Sequence, residues 1–285
     1  MRNLTEENLT EAVRKKLDGA TDVRFKQIMS SLVKHLHGFV REVQLTESEW
    51  FTAIQFLTAT GQKCDDKRQE FILLSDTLGV SMLVDAINHR SASGATESTV
   101  QGPFYVTGGP EMPLGADIAD GVPGDPTYFS GQVNAANGKP VPAATLDLWS
   151  TDGDGWYDMQ LPGQGMRARG KIKTDAQGRY AFWTVKPVSY PVPTDGPVGK
   201  MLLMMGRHPY RPAHTHLILS APGFKSVTTH VFVEGDPYLE SDAVFGVKNS
   251  LVADFQKHEP GTAPDGKRMD RPFFTVKFDF GMAPA

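Results

Sequence analysis

The chain has 285 residues, of which 40% are hydrophobic and 22% are charged, and its formal net charge is −4. This length allows one large globular domain with an appendage, or two modest domains. The slight negative charge and the lack of a Lys- or Arg-rich run argue against a nucleic-acid partner. The single cysteine, Cys64, excludes an internal disulfide framework.

The sequence also carries information about location. Residues 1–8 lack the apolar core of a signal peptide, and no apolar run is long enough to span a bilayer. A lone cysteine suits a reducing compartment. We therefore expect a cytoplasmic protein without a membrane span.

The first part of the chain, from Thr5 to about His89, has the hydrophobic periodicity of α-helices. Apolar residues recur at intervals of three and four through residues 23–43, which predicts an amphipathic helix with a wide apolar stripe. Thr46–Glu49 has the pattern of a capping box and predicts the start of the next helix. A third apolar segment covers residues 65–87. These stripes are more apolar than one small helical layer needs, and we expect them to pack on one another and on the following domain.

The character of the sequence changes at Ser91–Thr96, whose small and polar residues are typical of a linker. Beyond it, Gly and Pro interrupt short apolar runs, and no helical periodicity is evident. Short strands between turn signals indicate a sandwich or barrel. The expected strands are 129–133, 145–149, 170–174, 180–184, 214–219, 226–233 and 273–278. We expect a mainly β protein with an α-helical N-terminal domain (1–95) and an antiparallel β-sandwich catalytic core (96–285).

The strand expected at 214–219 begins with His214 and His216. Because side chains alternate along a strand, both imidazoles point to the same face and supply half of a metal site. Solvated or hydrogen-bonded histidines near a sheet edge are the alternative interpretation. No Asp or Glu lies between Asp195 and Glu234 to complete a carboxylate-containing iron site, and the cysteines of a structural zinc site are missing.

Tyr157 and Tyr190 are the oxygen donors that the sequence offers instead. Phenolate is a hard donor that suits Fe(III), and two tyrosinates with two neutral histidines would leave one net positive charge on the site. A third histidine, His230, would instead favour zinc and a hydrolase, but this leaves both tyrosines unexplained. A transthyretin-like binding sandwich without metal is a further alternative.

Several motifs resemble those of the intradiol ring-cleaving dioxygenases, and within that family the branch that acts on hydroxyquinol. They are Phe71–Gly79, Thr99–Tyr105, Tyr190, Arg211–His216, Thr229–Phe232 and Gly235–Leu239. The resemblance covers most of the chain. It implies an oxidoreductase that cleaves hydroxyquinol (benzene-1,2,4-triol) with O2, giving maleylacetate or its enol, 3-hydroxy-cis,cis-muconate, in aromatic degradation. Cleavage of catechol or chlorocatechol is the alternative within the family.

The resemblance further implies that Tyr157, Tyr190, His214 and His216 hold Fe(III). It makes Tyr157 and His214 equatorial and His216 axial. Tyr190 is implied to be the axial ligand that the substrate displaces, and the freed tyrosinate is a base for a substrate proton.

Two further catalytic residues follow from the same resemblance. Arg211 is implied to stabilise negative charge on the ring and on the reacting oxygen. His230 stands where we expect Gln in catechol 1,2-dioxygenases. It therefore favours the hydroxyquinol branch and could hydrogen-bond a ligand or the substrate.

The implied substrate pocket is mostly apolar, as suits a flat aromatic ring. Its residues are Leu73, Asp76, Val100, Gly102, Pro103, Phe104, Val192, Pro193, Arg211 and Val244. Asp76 is expected on one helix face with Leu73 and Val80, where it could accept a hydrogen bond from the third ring hydroxyl. An aspartate satisfied by nearby backbone is the alternative. Gln101 departs from the more hydrophobic residue expected there, which leaves chlorinated substrates open.

The resemblance also implies partners. The apolar stripes of the N-terminal helices are implied to form a homodimer interface with a lipid-sized groove that holds phospholipid.

Overall fold

The computed structural model describes residues 2–66, 68–90, 94–161, 163 and 165–285. Part of the expected linker, 91–93, lies outside these residues. The chain separates into two compact units, Met1–Ala59 and Thr60–Ala285. The expected division between 95 and 96 falls inside the second unit and stays a prediction. Within the described residues, no helix has the length and apolar character needed to cross a membrane.

The described residues before position 90 form the helices expected from the sequence. They are α1 (Leu9–Lys15), α2 (Val23–Val43), α3 (Glu47–Gln62), α4 (Glu70–Thr77) and α5 (Val80–Asn88). Asp22 caps α2, because its side chain accepts the N–H of Phe25 at 2.9 Å. Thr46 and Glu49 form the expected capping box, in which each backbone N–H donates to the other residue's side chain at 2.9 and 3.3 Å.

The helix expected to contain Leu73, Asp76 and Val80 is broken between α4 and α5. Gly79 adopts φ +73°, a left-handed conformation that favours glycine, and it directly precedes α5. Asp76 and Val80 therefore lie on different helices, and the expectation that they share a helix face is wrong. Leu73 and Asp76 do lie together on α4, where both are buried.

Strands make up most of the regular structure after residue 100. They are β1 (Pro126–Ala135), β2 (Thr145–Ser150), β3 (Arg169–Lys173), β4 (Arg179–Val185), β5 (Tyr190–Pro191), β6 (Tyr210–Arg211), β7 (His214–Ser220), β8 (Val227–Val233), β9 (Val252–Ala253), β10 (Gln256–His258), β11 (Gly261–Thr262), β12 (Arg268–Met269), β13 (Phe273–Lys277) and β14 (Phe280–Met282). Each expected strand is confirmed, within one to three residues at its ends. Alternation and turn signals were therefore sufficient to find them.

Two five-stranded sheets pack face to face. One has the order β3-β2-β7-β8-β9, and the other is built on β1, which pairs with β4, β13 and β14, with β10 beyond β13. One buried cluster contains Phe129 and Phe182 of the second sheet together with Leu148 and Leu217 of the first, so the sheets share a core as in a sandwich. Most pairs are antiparallel as expected, but β1 runs parallel to β13 and β14, and β8 runs parallel to β9.

One helix lies where the sequence showed no helical periodicity. This is α6 (Pro197–Met204), between β5 and β6. The expectation that helices end at the linker is therefore wrong. The helix has only eight residues, begins with proline and is capped from a distance, because Glu70 Oε1 accepts the N–H of Val198 at 3.2 Å. A short helix stabilised by a distant carboxylate leaves little local signal.

Candidate metal site

β7 carries His214 and His216 into the protein interior. The strand pairs with β2 on one side and β8 on the other, and the register sets His216 opposite both Trp149 and His230. The two imidazoles are 0% and 1% exposed. The alternative of solvated histidines at a sheet edge is therefore wrong: a central strand holds both rings on one buried face.

The hydroxyls of the two tyrosines approach the same pair of histidines from separate segments of the chain. Tyr157 immediately precedes the short 3-10 turn Asp158–Gln160, and Tyr190 lies on β5. Tyr157 Oη is 2.8 Å from His216 Nε2 and 3.1 Å from Tyr190 Oη. Tyr190 Oη is 3.5 Å from His214 Nε2, which is 3.1 Å from His216 Nε2. Two phenolic oxygens and two imidazole nitrogens thus converge.

The spacing of these four atoms fits a single metal ion. Around an ion with bonds of about 2.1 Å, donors separated by about 90–110° lie about 3.0–3.4 Å apart. The measured separations are 2.8, 3.1, 3.1 and 3.5 Å. Hard phenolic oxygen with imidazole nitrogen is a donor set that suits iron in its ferric state.

Burial keeps the four groups neutral when no metal is bound. It raises the pKa of the Tyr157 phenol well above its ordinary value and raises the pKa of Tyr190. Burial, with the nearby Arg211 charge, lowers the pKa of His214 to about 3, and burial also lowers the pKa of His216. His214 Nδ1 lies 2.7 Å from the Pro212 carbonyl, so Nδ1 carries the proton and Nε2 presents its lone pair to the other donors.

His230 lies beside this group on β8. Its ring centroid is 4.1 Å from that of His216 and 4.5 Å from that of His214. The Val100 backbone lies near it, but neither ring nitrogen makes a hydrogen bond of normal geometry to any described residue. One nitrogen from each of the three histidines lies within 4.8 Å of the others. A zinc site built from the histidines alone would leave the two tyrosine hydroxyls, 2.8 and 3.5 Å from His216 Nε2 and His214 Nε2, without a role.

Arg211 is a buried cation at the edge of the group. It lies on β6, opposite Tyr190 on β5, and is 4% exposed. Its Nη1 is 3.1 Å from His214 Nε2. Both carboxylate oxygens of Asp242 pair with its other nitrogens, and this charge raises the pKa of the guanidinium despite burial. A permanent positive charge therefore stands beside the converging donor atoms.

Seven of the ten pocket residues expected from the sequence line two separate spaces, whereas Arg211, Val192 and Val244 line neither. Leu73, Pro103, Phe104 and Pro193 line a cavity of about 220 Å³, and the Phe104 ring stacks on Tyr157 at 4.6 Å. Asp76, Val100 and Gly102 line a wider cleft of about 770 Å³. Val192 and Val244 are buried.

Two of these pocket residues interact with the residues around the proposed metal site: Gly102 lies against the His216 ring, and Asp76 is influenced by the Arg211 charge. A side chain at Gly102, which has φ +74°, would begin 3.4 Å from the His216 ring. Burial raises the pKa of the Asp76 carboxyl, while Ser81 and the Arg211 charge oppose that rise. Asp76 is therefore within electrostatic reach of Arg211.

The structure adds residues that the sequence did not suggest. Trp149 stacks on the His216 ring at 4.6 Å. The buried Arg169 pairs with Asp158 and donates to the Phe104 carbonyl at 2.7 Å. These residues are far apart in the sequence, and only the place of Asp158 directly after Tyr157 could have drawn attention to it.

Comparisons with known proteins place the chain among relatives. Two family models match it: "Catechol dioxygenase N terminus" over residues 22–96 and "Dioxygenase" over residues 100–284. A hydroxyquinol 1,2-dioxygenase of Rhodococcus opacus is 50% identical over 282 residues, which cover 98% of this chain and 94% of that one. A 6-chlorohydroxyquinol 1,2-dioxygenase of Cupriavidus pinatubonensis is 48% identical, covering 100% and 99% of the two chains. The solved hydroxyquinol 1,2-dioxygenase of Pseudomonas putida superposes with a TM-score of 0.92 at 48% identity, covering 98% and 99%.

Proposed function

Because the chain belongs to the intradiol ring-cleavage dioxygenase family, we propose that it cleaves hydroxyquinol with O2. The bond between the two adjacent hydroxylated carbons breaks, and both oxygen atoms of O2 enter the product, 3-hydroxy-cis,cis-muconate, the enol of maleylacetate. The observation that carries this choice of substrate is the 50% identity to a hydroxyquinol 1,2-dioxygenase over nearly the whole of both chains.

Fe(III) is the proposed cofactor, and Tyr157, Tyr190, His214 and His216 are its proposed ligands. Their donor atoms lie 2.8–3.5 Å apart along the four measured contacts, as expected around one ion. When bound, a ferric ion supplies the Lewis acidity that lowers the pKa of the substrate hydroxyls.

Tyr190 is the proposed ligand that gives way to the substrate and accepts a proton at Oη. Its contact to His214 Nε2, at 3.5 Å, is the longest of the four, whereas Tyr157 Oη lies 2.8 Å from His216 Nε2. Burial raises the pKa of Tyr190, which makes its phenolate a good proton acceptor. The stacked Phe104 ring keeps Tyr157 in place.

Arg211 and His230 are the proposed partners of the reacting ring. Arg211 is a fixed positive charge in a water-poor site, where it stabilises negative charge that develops on the ring and on oxygen. His230 is fully buried, and neither ring nitrogen has a hydrogen bond of normal geometry to a described residue, so it can hydrogen-bond a substrate oxygen.

Asp76 is proposed to accept a hydrogen bond from the third hydroxyl of hydroxyquinol. It is a buried carboxylate that lines the wider cleft together with Ser81 and Val100, with Leu73 on the same turn of α4. A site built around that hydrogen bond favours hydroxyquinol over catechol, because catechol has no third hydroxyl to donate to the carboxylate. The other proposed pocket residues, Val100, Gly102, Pro103, Val192, Pro193 and Val244, surround the ring.

Two further proposals concern the assembly and its location. Apolar side chains on α2 remain exposed, which supports a homodimer through the N-terminal helices with phospholipid in the interface. The single cysteine, unpaired in the structure, is compatible with a cytoplasmic enzyme.

Oxygen uptake tests the proposed substrate. The iron-loaded enzyme should consume one O2 per hydroxyquinol and yield maleylacetate, with a higher kcat/KM than for catechol or 3-chlorocatechol. A higher kcat/KM for catechol or a chlorocatechol would reject hydroxyquinol as the preferred substrate and leave ring cleavage itself intact.

A further inference from the structure

The ion pair between Arg211 and Asp242 has a defined geometry. Arg211 Nε is 3.1 Å from Asp242 Oδ1, and Arg211 Nη2 is 3.2 Å from Oδ2. Two parallel contacts fix the plane of a guanidinium as well as its position. They occupy the Nε and Nη2 edge and leave Nη1 directed at His214 Nε2, 3.1 Å away.

The Asp242 carboxylate is itself held by its own loop. Oδ1 accepts the N–H of Val244 at 3.2 Å, and Oδ2 accepts the N–H of Gly246 at 2.9 Å. Thr99, next to the pocket residue Val100, donates to the Gly246 carbonyl at 3.1 Å. One buried carboxylate thus joins the arginine to two walls of the pocket.

Space around this pair is restricted. A Cβ at Gly246 would begin 2.9 Å from Arg211 Nη2 and 3.2 Å from Asp242 Oδ2. Both charged side chains are at most 5% exposed, so water cannot replace a lost partner. The direction of Nη1 therefore depends on Asp242.

We propose that Asp242 is the positioning residue for Arg211, holding the guanidinium so that Nη1 faces the reacting ring. This inference rests on the proposed role of Arg211 in ring cleavage. The competing explanation is that Asp242 only neutralises a buried cation and stabilises the loop.

A double-mutant cycle separates these explanations. Asp242→Asn keeps the shape but removes the charge, and it should lower kcat by about 100-fold while KM changes less than about 3-fold, because Arg211 acts on charge that develops during reaction. Arg211→Gln should lose at least as much. If Asp242 acts through Arg211, the double variant should match Arg211→Gln within about 3-fold. A double variant whose loss of kcat equals the product of the two single losses would overturn the proposal.

Two further measurements check that the loss of kcat comes from the position of Arg211. Iron content and the visible absorption of Asp242→Asn should equal those of the wild type, because Asp242 contacts none of the four proposed donor atoms; loss of iron would contradict a positioning role. Gly246→Ala retains every charge but crowds Arg211 Nη2, Thr99 Oγ1 and Asp242 Oδ2, and it should also lower kcat. An unchanged kcat in this variant would count against the proposal.

The control variant makes the same Asp-to-Asn change at a different ion pair. Asp175→Asn removes a carboxylate from the exposed pair with Arg179 and should leave kcat unchanged. All rates are measured with hydroxyquinol and with catechol. A preference for catechol would then reject the proposed substrate while the cycle still tests Asp242.

Discussion

Asp76 is the side chain that we propose sets the choice of substrate. Its carboxylate is buried, and its pKa is raised by that burial. A buried hydrogen-bond acceptor costs free energy when the ligand offers no donor. We therefore propose that the residue discriminates between ring substrates more than it contributes to ring cleavage itself.

Asp76→Ala should lower kcat/KM for hydroxyquinol by about 10–100-fold, the worth of one hydrogen bond to a charged group. The kcat/KM for catechol should change less than about 3-fold. Steady-state rates with both substrates check this expectation. Asn88→Ala, in the same cleft, is the control, because its side chain bonds to the Val84 carbonyl and not to Asp76 or Ser81. Equal losses for both substrates would show that Asp76 has no role in selectivity.

His230 makes the stability of the iron-free protein depend on pH. Burial, with the nearby histidines and Arg211, lowers the pKa of its imidazole well below the ordinary value. The unfolded chain binds a proton near pH 6.5, whereas the folded chain does not. The free energy of unfolding must then fall as the pH falls below about 6.5.

Comparison with His230→Gln isolates this effect. Between pH 7 and pH 5, the wild-type protein should lose more unfolding free energy than the variant, with an upper limit of about 2 kcal/mol for one histidine that stays neutral when folded. Urea denaturation of both iron-depleted proteins at the two pH values measures the difference. Parallel pH profiles would mean that His230 is protonated equally in the folded and unfolded chains.

At the scale of elements, β7 and α6 support the site in different ways. β7 fixes two histidines between neighbouring strands. α6 lies in the connection that leads from Tyr190 to Arg211, and its first turn is held by Glu70 from α4. Glu70 is fully buried and also pairs with Arg68 at 2.8 Å.

Glu70→Ala should destabilise the protein by about 3 kcal/mol, because it leaves the buried N–H of Val198 unpaired and removes the buried one of the two carboxylates that pair with Arg68. Asp195→Asn, which touches the exposed side of the same arginine, should cost less than about 1 kcal/mol. Denaturant unfolding compares the two variants. Similar small losses would show that the α6 cap contributes little.

Local sequence signals identified much of the fold. The stripe of α2, the capping box at Thr46 and the alternation of β7 each depend on neighbours within a few residues, so periodicity was sufficient. The break at Gly79 and the helix α6 were missed because a single glycine and a distant carboxylate decide them.

The residues of the site likewise include some with a local sequence signal and others without one. Residues in recognisable motifs, such as Tyr190 and His214, could be proposed from the sequence. Asp242 and Trp149 could not, because their roles arise from contacts across strands and loops. No spacing in the chain reveals such contacts.

For the whole molecule, the exposed apolar stripe of α2 is the main unexplained surface. Leu32 and Leu36 are 44% and 52% exposed, and Val23, Phe25, Ile28, Phe39, Val40 and Val43 are exposed on the same helix. Contiguous apolar surface of this extent marks an interaction site. A second copy of the chain is the partner we propose.

Replacing Leu32 and Leu36 together by Glu should convert a dimer to a monomer, since two buried charges without partners disfavour association. Light scattering after size-exclusion chromatography gives the mass. Lys34→Glu, a charge change at an exposed position of α2, should remain dimeric. A monomeric wild-type protein would contradict the dimer. Absence of phospholipid from an organic extract of the dimer would contradict the lipid.

The visible absorption spectrum of the purified protein, read with its metal content, tests the central claim most directly. Four side chains holding one ferric ion should give one iron per chain and a broad tyrosinate-to-iron band. Tyr157→Phe should weaken or abolish the band, while Tyr105→Phe, whose hydroxyl bonds to Asp147, should retain it. A colourless wild-type protein with one zinc per chain would contradict the claim.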